Sequence, residues 1–122
     1  MSARLLMIGV DDTHSKVIKE YFQSWSIEEA GPSETKDLSG HGYNLVIADA
    51  RDTKDQTLEL CTDLRNQSDD PPLLVTMERW QASQVQYILE LGSTRCLIKS
   101  FDTKDLGKAV GVLLPQESQP RA

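Results

Sequence analysis

Apolar runs of about strand length alternate along this chain with segments whose apolar residues recur at helical spacing. Arg4 to Val10 (RLLMIGV) is the first run and ends at Asp11-Asp12; behind it Val17, Ile18, Tyr21, Phe22 and Trp25 fall at helical spacing, with Thr13 as the expected N-cap. Ser26 to Ala30 is a weaker second strand, closed by Gly31-Pro32, and the polar stretch Ser33 to Leu38 carries slight helical character before Gly40 and Gly42 interrupt it. Tyr43 to Ala48 (YNLVIA) predicts a third strand ending at Asp49, followed by a helix with Leu58, Cys61 and Leu64 on one face and Leu60 beside it. Pro72 to Val75 gives a fourth strand ending at Thr76, and the next helix turns Val85, Ile88 and Leu89 inward and closes at Gly92. Cys96 to Ile98 gives a fifth strand ending at Lys99. A last helix, capped by Asp102 or Thr103, buries Leu106, Ala109, Val110 and Leu113.

Strands alternating with helices imply βαβ units and a parallel sheet, and the nearly unbroken apolar character of strands one, three and four fits a sheet covered by helices on both faces. The expected class is α/β. One domain over residues 1–114 accounts for the pattern, because 122 residues suffice for one core and not for two. Residues 115–122 are polar and are expected to be a disordered tail or the start of a linker. In open sheets of this kind ligands bind outside the carboxyl ends of the strands, where the strand order reverses.

Charge narrows the function. A formal charge of -6 and no basic run argue against direct binding to nucleic acid, which relies on clustered Lys and Arg to displace phosphate counterions. The apolar runs are far shorter than the roughly 20 residues that cross a bilayer, and the N-terminus has no basic region leading into an apolar signal core, so a soluble, cytoplasmic location is expected, with no membrane partner. Neither Cys61 nor Cys96 has a Cys or His at zinc-ligand spacing, and both are expected to be buried thiols.

The residues that follow the strong strands are Asp11 and Asp12, Asp49, Thr76 and Lys99. Three carboxylates at one sheet edge repel one another and attract a hard cation, and a few oxygen ligands with room for water suit Mg²⁺ better than Ca²⁺. With that charge neutralised, one carboxylate can attack a phosphoryl group while a lysine and a hydroxyl hold its oxygens.

Taken in order, Val10-Asp11-Asp12, the strand Tyr43-Asn44-Leu45-Val46-Ile47-Ala48-Asp49, Leu73-Leu74-Val75-Thr76 and Ile98-Lys99-Ser100-Phe101 resemble the motifs of the receiver domain of two-component response regulators, the CheY-like family, over about residues 4 to 114. The resemblance implies a doubly wound, flavodoxin-like sheet of order 2-1-3-4-5, an order known for this fold. It further implies that Asp49 is the phosphoacceptor, that Asp12, Asp49 and the backbone carbonyl of Arg51 bind Mg²⁺ directly, and that Asp11 assists through water. Lys99 would grip the phosphoryl group, and Thr76 would move toward it and carry the signal to the surface around the fourth and fifth strands and helices. The implied donor is a phosphohistidine on a histidine kinase or histidine phosphotransfer protein, and the implied output is a downstream protein target or effector domain. No enzymatic turnover beyond self-catalysed phosphoryl acceptance and autodephosphorylation is expected.

Several positions depart from that pattern. Ser100 stands where the family usually has a proline in a cis peptide; a cis bond to a non-proline residue costs about 2.5–4 kcal/mol, which leaves open a trans peptide that would move Lys99. The loop Ala50-Arg51-Asp52-Thr53 lacks the family's proline. Cys96 replaces the aromatic switch residue, too small to swing as a ring does, and Met77 replaces a small residue and is expected to crowd the phosphoryl group. Arg51 and Glu78 flank the pocket mouth, where they are expected to pair and lengthen the lifetime of the phosphoryl group.

Each feature also has a plainer explanation. An acid doublet ordinarily caps a helix, Asp49 and Thr76 can simply end strands, and Lys99 can be solvated; the ordered set is harder to explain this way. His14 is expected to be a solvated helix residue, His41 a loop residue, Trp25 core, and Trp80 exposed. The main alternative is a degenerate receiver that signals by constitutive contacts. A haloacid-dehalogenase-like phosphatase would need aspartates two apart after the first strand, a flavodoxin-like redox protein a hydroxyl-rich phosphate loop there, and a nucleotide-binding protein a glycine fingerprint; none is present.

Overall fold

The computed structural model describes residues 3–31, 43–50, 56, 59, 62, 72–80 and 94–114. They form β1 (Arg4–Ile8), α1 (Asp12–Tyr21), β2 (Ser26–Ala30), β3 (Leu45–Asp49), β4 (Leu73–Met77), β5 (Thr94–Ile98) and α2 (Thr103–Leu113). The five strands make one sheet of order β2-β1-β3-β4-β5, parallel at every pairing. The fold is thus the expected doubly wound α/β architecture. Gln56, Glu59 and Thr62 are helical and exposed, in the segment where a helix is expected. The expected helices over Ser33 to Leu38 and around Val85, Ile88 and Leu89 lie outside the described residues, as do His41, Cys61 and the polar tail 115–122.

Strand alternation builds two cores. Leu6, Ile8, Val46, Ala48, Leu73, Val75 and Met77 fill one face of the sheet. The other face carries Leu5, Met7, Leu45, Ile47 and Leu74, packed against Ile18 and Phe22 of α1 and Leu106 and Val110 of α2. The period of two along each strand sends successive side chains to opposite faces, and burial on both faces explains why the strands read as unbroken apolar runs. Trp25 joins the second face half-buried, its ring edge-on to Phe22 with centroids 4.8 Å apart.

The boundaries differ from those expected. β1 stops at Ile8 because Gly9 takes a φ of 66°, a left-handed conformation that bends the chain out of the sheet and that a side chain disfavours. Asp11, not Thr13, is the N-cap of α1: its backbone is extended and its carboxylate accepts from the His14 backbone N–H. Asp102 caps α2 as expected, with Asp105 reaching back to complete a capping box.

β2 is the edge strand, and most of its side chains are exposed. Glu28 accepts from Arg4 and from the Tyr43 hydroxyl, while Glu29 pairs with Lys19 of α1 at 3.1 Å. Charges on such an edge discourage pairing with another chain. Among the described residues no helix is long and apolar enough to cross a membrane.

Candidate functional site

The carboxyl ends of β3, β4 and β5 lie side by side, with Asp49 opposite Thr76 in the register. Counting by twos from the core residues Ile47, Leu74 and Leu97 reaches Asp49, Thr76 and Lys99, so all three point to the face that α1 and α2 cover. Thr76 Oγ1 donates to Asp49 Oδ1 at 2.6 Å. Lys99 Nζ meets the same oxygen at 2.8 Å and Asp11 Oδ2 at 3.4 Å. The structure therefore brings four of the five expected residues, Asp11, Asp49, Thr76 and Lys99, to one place. Thr76 is fully buried and the Lys99 side chain nearly so, whereas Asp49 is partly open to solvent.

Lys99 reaches the acids even though Ser100 follows it. The Lys99-Ser100 peptide, whose isomer the sequence leaves open, is cis. The backbone N–H of Lys99 donates to the Met77 carbonyl at 2.8 Å, continuing the β4–β5 ladder one residue past β5 and holding the lysine over Asp49. Burial acts to lower the Lys99 ammonium, but Asp49 and then Asp11 outweigh it and hold the group above the ordinary lysine range. For Asp11, burial acts upward, and the backbone N–H and imidazole of His14 together with Lys99 reverse it, bringing the carboxyl down to about 2.

Two expectations change, and a third, the pairing of Arg51 with Glu78, falls partly outside the described residues. Met77 does not crowd the site: it is buried among Ile8, Ala48 and Val75 on the opposite face of the sheet, because neighbours along a strand point in opposite directions. Glu78 lies 3.9 Å from Lys99, so this carboxylate contributes to the field of the pocket itself. Its expected partner Arg51, whose backbone carbonyl was also an expected Mg²⁺ ligand, lies outside the described residues. His14 is not solvated but buried, with Nδ1 at 2.8 and 3.0 Å from the two Asp11 oxygens and its ring 4.7 Å from that of Phe101.

The sequence did carry a signal for His14. An acidic N-cap at Asp11 puts residue 14 at the third helical position, whose side chain can reach back to the cap. Assigning the cap to Thr13 hides that relation.

Asp12 opens α1 one residue beyond Asp11 and is exposed. Among the described residues no three His, Cys, Asp or Glu side chains stand close enough together to hold a metal ion. The donor chemistry nevertheless fits a hard cation: Asp11 and Asp49 turn carboxylate oxygens toward one point, and the charge found there is the Lys99 ammonium.

Beside this pocket a groove runs between β5 and α2, bordered by Arg79, Arg95, Cys96, Ile98, Lys108 and Val112, and Lys99 lines it as well. Ile98, Val112 and the nearby Trp80 expose apolar surface, as expected for Trp80. Cys96 is a free thiol, half-buried where full burial was expected, and desolvation pushes it up to about 11, so it is a poor nucleophile near neutral pH.

No family model and no curated protein matches the chain. Solved structures do. The signal receiver domain of a two-component signal transduction histidine kinase from Clostridium thermocellum matches with a TM-score of 0.74 at 22% identity, over 94% of this chain and 100% of the other. The non-phosphorylated HemR receiver domain from Leptospira biflexa gives 0.71 at 22% identity, over 94% and 99%. The chemotaxis response regulator CheY4 of Vibrio cholerae gives 0.68 at 19% identity, over 93% and 100%. At such identities the likeness is one of fold: the chain has the fold of response-regulator receiver domains.

Proposed function

We propose that the chain is a phosphoacceptor receiver domain of a two-component system, with Asp49 as the nucleophile. The observation that carries this is the convergence of Thr76 Oγ1 and Lys99 Nζ on one Asp49 oxygen, at 2.6 and 2.8 Å. A carboxylate oxygen of Asp49 attacks the phosphorus of a phosphohistidine; the new O–P bond forms as the P–N bond breaks, and the imidazole of the donor leaves. Lys99 and Thr76, already within bonding distance of the nucleophile, transfer their hydrogen bonds to phosphoryl oxygens and stabilise the charge that gathers there.

Asp11, Asp12, Asp49 and the backbone carbonyl of Arg51 are the residues that would hold Mg²⁺. When bound, the ion neutralises the acids that otherwise repel an incoming phosphoryl group. Water ends the modified state by autodephosphorylation, and no other turnover is proposed.

The phosphoryl donor is a histidine kinase or histidine phosphotransfer protein, and output passes by protein contacts to a downstream target or effector domain. Lys99 supports a route for that output, because it lines both the acidic pocket and the groove between β5 and α2. Cys96, in place of an aromatic switch, leaves Thr76 and Lys99 themselves as the moving parts. A cytoplasmic location goes with this role.

Incubation with Mg²⁺ and a small acyl or amido phosphoryl donor should add one phosphoryl group by intact mass, and Asp49→Ala should abolish it. A wild-type mass that stays unchanged would refute phosphoacceptance and favour a degenerate receiver acting through constitutive contacts.

A further inference from the structure

Among the described titratable groups around the pocket, His14 is a buried one that the proposed chemistry does not use. It is buried, its Nε2 has no hydrogen-bond partner among the described residues, and its other faces touch two separate parts of the site. Toward α1, Nδ1 lies 2.8 and 3.0 Å from Oδ1 and Oδ2 of Asp11. An ionised carboxylate can only accept, so Nδ1 carries the proton in this contact. Toward β5, the ring packs at 41° on Phe101, two residues beyond Lys99.

The two hydrogen bonds to Asp11 have different effects. The backbone N–H of His14 reaches Oδ1 alone, at 2.9 Å, and by itself leaves the carboxylate free to rotate about its Cβ–Cγ bond. The imidazole spans both oxygens and removes that freedom. Oδ2 then remains on the side of Lys99, 3.4 Å from the ammonium. A leucine could fill the same space without leaving a buried ring nitrogen unpartnered, which is unfavourable. What leucine cannot supply is the Nδ1–H.

We propose that His14 is a positioning residue: it fixes the plane of the Asp11 carboxylate and, by packing on Phe101, the loop that presents Lys99, so that acid and ammonium are preset for the incoming cation and phosphoryl group. This rests on the phosphoacceptor reading of the pocket. Partners that orient a metal-ligating group commonly change metal affinity by roughly 10- to 100-fold when removed.

Two variants separate positioning from packing. His14→Leu keeps an apolar body against Phe101 and loses the donor, whereas His14→Asn places an amide N–H near the position of Nδ1. Mg²⁺ titrated calorimetrically should bind His14→Leu about tenfold more weakly than wild type and His14→Asn within about threefold of it. In an Asp11→Asn background, His14→Leu should cause no further loss. In the metal-free protein, the NMR signal of the Lys99 ammonium, which depends on fixed partners that slow its exchange, should persist in wild type and His14→Asn and vanish in His14→Leu.

Equal affinities for wild type and His14→Leu, equal losses in both His14 variants, or an undiminished effect in the Asp11→Asn background would each overturn the proposal. Wild-type protein that binds no Mg²⁺ would instead count against the metal-dependent reading of the pocket. The ammonium signal then decides the role of His14 alone: its loss in His14→Leu and survival in His14→Asn supports positioning, and any other pattern overturns it.

Discussion

Asp11 shows how much one residue in this pocket is asked to do. It caps α1, accepts from His14 and faces Lys99. Its carboxyl is held at about 2 against an ordinary 3.8, so between those values the folded chain binds fewer protons at this site than the unfolded chain. The resulting stabilisation is fully present above about pH 4 and is lost as the pH falls through about 2. Its side chain is 45% exposed, and solvent screening limits the contribution to less than about 1 kcal/mol. Asp11→Asn keeps a good N-cap while removing the charge. In urea titrations the stability gap between wild type and Asp11→Asn should therefore narrow as the pH drops from about 4 toward 2; a gap independent of pH would show that the charge contributes nothing. The identities of Asp11, Asp49, Thr76 and Lys99 as a group were legible in the sequence because each follows a strand. The burial of His14 was not, because it depends on which residue caps the helix and on a ring, Phe101, supplied from far along the chain.

Elements were legible where burial is complete and their ends were not. Apart from Asp49 and Thr76, which belong to the pocket, β3 and β4 are apolar, and the third and fourth apolar runs of the sequence coincide with them apart from one or two residues at their ends. β5 starts earlier than its apolar residues do, at Thr94, because the ladder with β4 also pairs Thr94 with Leu73 and Arg95 with Leu74; hydrogen bonding extends a strand past its hydrophobic positions. β1 ends earlier because of backbone conformation. Gly9 at φ 66° lets the chain leave the sheet and deliver Asp11 to the pocket, while its N–H donates to Ala30 at 3.0 Å. A Cβ in that conformation costs about 1–2 kcal/mol, and Asn tolerates it better than other residues. Gly9→Ala should lose about 1 kcal/mol in chemical denaturation, a drop of several degrees in Tm, and Gly9→Asn less. Equal losses for the two would mean that side-chain bulk, and not φ, governs the turn.

At the scale of the whole molecule, the parallel sheet followed from strand-helix alternation, while the order 2-1-3-4-5 came from the family resemblance, since alternation alone does not say which strand is central. That order has a functional consequence. β2 sits beyond β1 at one edge, and β4 and β5 stand together on the other side of β3, next to the groove bordered by Arg79, Arg95 and Lys108. A phosphoryl group on Asp49 adds about -1.5 to -2 charge beside Thr76 and Lys99. Lys99 is tied to β4 through the Met77 carbonyl and lines the groove, so a shift of its ammonium toward the phosphoryl oxygens reaches that surface through covalent and hydrogen-bonded neighbours. β2 is separated from Asp49 by β1. Comparison of backbone amide spectra before and after phosphorylation should show the largest shifts at Thr76 to Trp80 and Arg95 to Phe101, smaller ones along the groove side of α2 at Lys108 and Val112, and little change from Ser26 to Ala30. Shifts confined to the immediate neighbours of Asp49 would disconnect the pocket from the groove and place the output surface elsewhere. With that pattern in hand, the partner that senses phosphorylation is to be sought at a surface with Arg and Lys around exposed Ile98 and Val112. Because the chain as a whole is acidic, an acidic partner is steered to this groove in preference to the rest of the surface, and its association should slow as salt is raised.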